Sequence, residues 1–176
     1  EKADEGEPVR PAAALPEAFA APLRDAVEAY LAAHAALAED DDAEAASAAR
    51  RCRAALSAVD MHALGDEAHL RWMEHLTSLR PAVKALADAE SLAARRKAFA
   101  SASDVLARVL ADFPVHEAPL VRMRCPMAFN DRGADWLQVG GEVRNPYFGS
   151  QMLRCGEATK VFEPAAERSP GEAPHE

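Results

Sequence analysis

Nowhere in this chain do two cysteines stand three residues apart, and there are only three cysteines in all, at positions 52, 125 and 155. So few, and an odd number, argue against a disulfide scaffold. Without a C-x-x-C pair the usual thiol-oxidoreductase and zinc-ribbon readings also fall away. Cationic surplus is missing too: 20 Lys+Arg against 29 Asp+Glu leave a net charge of −9, a poor match for phosphate backbones, so nucleic acid is not an expected partner. No apolar run approaches the roughly 18–20 residues that a membrane helix needs. Neither a Gly-rich phosphate loop nor a Ser/His/Asp arrangement is visible, and no enzymatic activity is expected.

What the chain has in quantity is alanine. Hydrophobic residues make up 49% of it while aromatics supply only 6%, a mix suited to closely packed helices, because alanine loses no side-chain entropy on entering one. The 176 residues suit a single domain with a proper core. Residues 1–14 and 163–176, charged and rich in Pro and Ala, are expected to be a flexible leader and tail around a domain spanning 15–162. The first residue is Glu1 rather than Met, which is read as removal of an upstream segment.

Four apolar stripes predict four helices. The first starts near Leu15–Pro16 and carries Phe19, Leu23, Val27, Tyr30, His34 and Leu37 at spacings of three and four, ending by Asp40-Asp41-Asp42, acids that suit the next N-cap. His34 on this stripe is expected to be a satisfied core histidine. The second, over about 43–59, buries Ala45, Ala49, Cys52, Leu56 and Val59, with Cys52 a small buried hydrophobe. The third starts near Asp66 and carries Trp72, Leu76, Leu79, Val83 and Leu86; Pro81 within it should kink or split the helix. The fourth, over about 90–112, sets Leu92, Phe99 and Leu106 seven apart, with Phe113 continuing the series just beyond it. Short links make this a mainly α, four-helix up-down bundle. After Pro114 an irregular motif loop follows. A short two-stranded β element, 120–124 against Glu157–Phe162, would bring Cys125 and Cys155 to the ends of neighbouring strands.

That late segment carries the chemistry. Cys125-Pro-Met127 and Met152-Leu-Arg-Cys155 each put a methionine within three residues of a cysteine. If they meet, two thiols and two thioethers form a soft donor set that favours Cu(I) over harder cations. His69 and Met73 share a face of the third helix at a spacing of four, and are candidate ligands or supports. Asp131, Arg132 and Asp135 are expected to fix the loop. Trp136, Tyr147 and Phe148 are expected to cover the sulfurs.

At Cys125-Pro-Met-Ala128, Gly133-Ala-Asp-Trp-Leu137, Asn145-Pro-Tyr-Phe-Gly149 and Met152-Leu-Arg-Cys155-Gly156, the chain resembles a small periplasmic domain of unknown function. That domain occurs alone or fused to the adaptor subunits of copper/silver RND efflux systems of the CusB type. His69-Leu-Arg-Trp72-Met73 and Arg96-Lys-Ala-Phe99 with Ser103 extend the similarity, which covers about 15–162. The resemblance implies a bacterial periplasmic role linked to copper, with tethering to the membrane through a removed N-terminal segment as one arrangement, and efflux adaptor or pump components as partners. The metal set is then Cys125, Met127, Met152 and Cys155, with His69 and Met73, holding copper as Cu(I) in a carrier or sequestering module. The competing reading is a Cys125–Cys155 disulfide, natural in an oxidising compartment, stapling an interaction module that docks onto an efflux adaptor. Its loop would contribute roughly 3 kcal/mol in the chain-entropy model.

Overall fold

The computed structural model describes residues 14–164; apart from Ala14, Glu163 and Pro164, the expected leader and tail lie outside them. Four long helices follow one another: α1 (Glu17–Ala38), α2 (Asp42–Ser57), α3 (Asp66–Asp88) and α4 (Leu92–Asp112). The links are tight because caps sit at the ends. Asp41 accepts the Glu44 N–H at 3.0 Å to open α2, and Ser91 accepts that of Ala94 at 3.1 Å to open α4. The C-terminal carbonyls of α3 are met differently. Buried Arg95 donates to Leu86 O and, just past the helix, to Ala89 O, while its Nε reaches Asp42 at 2.8 Å. Pro81 does not split α3, which runs unbroken across it with the proline on the exposed face.

The predicted stripes are the buried faces, except that Leu56, Val59 and Leu92 are only half-buried and Val59 lies past the end of α2. Small residues let α1 and α2 approach closely, through Ala26, Ala33, Ala45, Ala48 and Ala49. Larger rings cluster where α1, α3 and the end of α4 meet: Phe19 and Phe113 each pack edge to face on Trp72, at 4.9 and 5.6 Å, and tilted on each other at 5.2 Å. Midway along the bundle Tyr30 stacks on Phe99 at 4.7 Å. Cys52 is buried on α2, which pushes its thiol up to about 12; it behaves as a small apolar side chain.

Three strands follow: β1 (Leu120–Cys125), β2 (Ala134–Val139) and β3 (Glu157–Phe162), antiparallel in the order β2-β1-β3. The β1–β3 pair is the expected one, and β2 replaces part of the expected irregular loop. Alternation is hidden in β2 because Gln138 is a buried polar residue. Its amide accepts from Trp136 Nε1 at 2.9 Å and from the Arg144 N–H, and donates to Gly140 O and Glu142 O. The sheet lies on α4 and α1, where the Tyr30 hydroxyl accepts the Leu137 N–H at 3.0 Å and pairs with Ser103 Oγ at 2.6 Å.

Candidate functional site

The sheet register sets the sulfurs side by side. Cys125 closes β1 opposite Ala134, and on the other side Arg124 faces Glu157, two residues beyond Cys155. Cys125 Sγ and Cys155 Sγ lie 3.1 Å apart, both as thiols, Cys125 fully buried and Cys155 half-buried. The juxtaposition expected from the sequence is therefore present.

Several groups fix Cys155. Asn145 is wholly buried, and its side-chain amide donates to Cys155 O at 2.7 Å while its oxygen accepts the N–H groups of Tyr147 and Phe148. One asparagine thus folds the Asn145-Pro-Tyr-Phe-Gly149 turn and holds the cysteine backbone. Cys155 N–H donates to Met152 O at 3.0 Å, and the backbone N–H of Met127 points at the Cys155 sulfur. Both methionines therefore flank Cys155 through their backbones. Met152 is half-buried, and Met127 sits at the rim with 47% of its surface exposed. Gly156 follows at φ +146°, where a Cβ would stand 2.8 Å from the edge of Trp136, so that ring closes directly over the backbone beside the thiol. Trp136 and Tyr147, packed edge to face at 5.8 Å, are buried beneath this segment, and Phe148 is half-buried.

Between Cys125 and β2 the chain makes a turn of unusual hand. Phe129, Asn130 and Asp131 all have positive φ, at 54°, 57° and 63°. Such a run in L-residues costs on the order of 1–2 kcal/mol per residue. It is held by Asp131 N–H to Met127 O, Gly133 N–H to Ala128 O and the Phe129 ring against Tyr147 at 5.3 Å. Asp135 braces the strands by pairing with Arg122 Nε at 2.6 Å and Arg124 Nη1 at 2.8 Å.

A second clamp ties the motif loop to the bundle. Arg96 of α4 donates to Pro146 O and Leu37 O and pairs with Asp40 at 2.6 Å, while Asp40 accepts from the backbone and hydroxyl of Ser150. The Ser150 and Arg96 hydrogen bonds hold the Asp40 carboxyl down at about 2. His34 belongs to the same wall: its Nε2 meets Arg144 O at 2.8 Å, and burial lowers it to about 4. Asn145, Arg96 and Asp40 were not foreseen in the sequence as anchors; the Asn-Pro-Tyr-Phe-Gly motif marked the first and the Arg96-Lys-Ala-Phe99 motif the second, without a role for either.

Electrostatically the Cys155 thiol favours its neutral form. The hydrogen bond that Cys155 Sγ–H donates to Cys125 Sγ, together with burial, raises Cys155 to about 11, with the Met127 N–H opposing the rise. Two thiolates each about 2.3 Å from one tetrahedral ion stand roughly 3.7 Å apart, whereas a disulfide closes to about 2.05 Å. At 3.1 Å the pair lies between the two, a small displacement from either. Among the described residues no three His, Cys, Asp or Glu side chains converge as they would around a metal ion; the two thiols are the donors brought together, and the two methionines adjoin them through their backbones.

His69 and Met73 are not brought to the sulfurs. They stand on the first turns of α3, beside the one-turn 3₁₀ helix Met61–Ala63, where Asp60 N–H reaches Ala18 O at the start of α1. The clamp that holds the motif loop meets the other end of α1, at Leu37 and Asp40. The ligand set read from the sequence is thus divided: His69 and Met73 stand near the start of α1, and the cysteines lie in the sheet region tied to its second half.

A helical bundle flanked by a small antiparallel sheet, with a thiol pair where two strands end, defines the class of protein. The chain belongs to the family described as a protein of unknown function, DUF3347, whose profile matches residues 26–117. The match covers most of the bundle and stops short of β1 and of both late cysteines. No curated protein and no solved structure matches the chain. No helix among the described residues is long and apolar enough to cross a membrane.

Proposed function

We propose that this protein binds copper as Cu(I) through Cys125 and Cys155, with Met127 and Met152 as thioether donors, and carries or sequesters the ion in a bacterial periplasm in the service of copper efflux. The observation that supports this reading is the approach of two thiols, 30 positions of chain apart, to 3.1 Å, with the edge of the buried Trp136 ring against the neighbouring Gly156. Soft sulfur donors select a soft monovalent ion, and an apolar wall keeps water from competing. An RND efflux adaptor is the partner proposed from the motif resemblance. A carrier of this kind has no reacting substrate, and no catalytic step is assigned.

Titration of reduced protein with Cu(I) against a competing chelator tests the reading. The equivalent held by the sulfurs should bind tightly to the native chain and be lost in Cys125→Ser and in Cys155→Ser; unchanged stoichiometry and affinity in both variants would refute it. Binding displaces a proton from Cys155, whose thiol stands at about 11. Apparent affinity should therefore fall by at least about tenfold per pH unit as pH is lowered through the neutral range.

The same 3.1 Å separation supports a second reading, in which the pair is a disulfide and the aromatic loop a docking surface. Intact mass before and after alkylation decides between them: thiols blocked at rest, with no metal uptake after reduction, would favour the staple.

A further inference from the structure

The division of the expected ligands leaves a separate constellation near the start of α1. The His62 and His69 rings lie 5.6 Å apart between centroids, tilted by 32°. His69 Nδ1 is 2.9 Å from Met61 O. A carbonyl only accepts, so Nδ1 carries the hydrogen, and in the neutral ring Nε2 is left with its lone pair. A backbone carbonyl on the far nitrogen is the arrangement that orients histidines bound to metals. Met73, one helical turn beyond His69 on the same face, is 41% exposed. His62 is exposed on the 3₁₀ turn, whose start is fixed by the Asp60 carboxylate on the His62 N–H at 3.0 Å.

We infer that His62, His69 and Met73 form a second site for a soft monovalent ion of the Cu(I) or Ag(I) type, independent of the cysteine pair. The ring geometry carries the argument. An imidazole nitrogen binds at about 2.0–2.1 Å, which puts each ring centre about 3.2 Å from the ion. Two such rings in a trigonal arrangement stand roughly 5.5 Å apart, the spacing of the His62–His69 pair at 5.6 Å. Two imidazoles and one thioether make a neutral donor set, which suits a monovalent ion better than a doubly charged one. Carboxylates that would draw a harder cation do not complete the cluster among the described residues.

The test is a titration of the full chain with Ag(I), a diamagnetic stand-in for Cu(I), followed by long-range ¹H–¹⁵N spectra of the histidine side chains. The Nε2 resonances of His62 and His69 should shift together and saturate at one equivalent beyond that taken by the cysteines. Both shifts should persist when Cys125 and Cys155 are replaced by serine, which separates this site from the cysteine reading. In His62→Ala, an exposed substitution, total stoichiometry should drop by one equivalent while the cysteine-bound equivalent remains. Unmoved His62 and His69 resonances at saturation, or unchanged stoichiometry in His62→Ala, would overturn the assignment.

Discussion

His34 shows how one side chain can carry a pH response that has nothing to do with metal. It is buried and its pKa is lowered to about 4, burial outweighing the hydrogen bond to Arg144 O. As pH falls below about 6.5 the unfolded chain takes up a proton that the folded chain refuses. The stability His34 contributes is therefore complete above about 6.5 and lost progressively as pH drops toward 4, by about 3 kcal/mol in all. Urea unfolding at stepped pH should show this loss in the native protein, and a flatter profile over the same window in His34→Gln, whose amide can still donate to Arg144 O. Asp40 titrates lower: its pKa is depressed to about 2, so its contribution holds above about 4 and goes only as pH falls toward 2. The two windows do not overlap.

At the level of elements, the helices were legible because each repeats its apolar residues at three and four over 16 or more positions. The Asp41 and Ser91 side chains that cap α2 and α4 are conventional as well. The sheet was half legible. β1 and β3 showed as short β-prone runs, but β2 keeps a buried glutamine where alternation calls for an apolar residue. The left-handed turn was invisible, since Phe129 is not a residue type that advertises positive φ. The candidate site split in the same way: cysteines bounded by strand ends could be foreseen together, whereas the spacing of His69 and Met73 said nothing about which end of the bundle they occupy. The clamp on the motif loop makes its own prediction. Gly149 has φ +55°, and a Cβ there would fall on the Asp40 carboxylate and the Arg96 guanidinium. Gly149→Ala should lower the urea midpoint by the equivalent of about 2 kcal/mol with the slope unchanged, from backbone strain and a displaced ion pair. A midpoint within error of the native value would show that the loop rearranges freely.

Considered whole, the molecule is a bundle that presents different chemistry in two places, sulfur in the sheet region and imidazole near the start of α1. The family relation rests on residues 26–117 and therefore on most of the bundle; α1 spans nearly its full length. Ala18, which receives the Asp60 N–H, and Asp40, which receives Ser150, are 22 positions apart along it and just past its end. At 1.5 Å per residue that is about 33 Å. Charges separated by three or four Debye lengths at physiological ionic strength hardly feel one another. Calorimetric titration should accordingly give two classes of ion with unlinked affinities, neither constant changing by more than about twofold when the other class is abolished by substitution. If both proposed sites fill, the long first helix keeps them apart, and a half-loaded protein would be as ready to give up or accept its next ion as an empty or a full one.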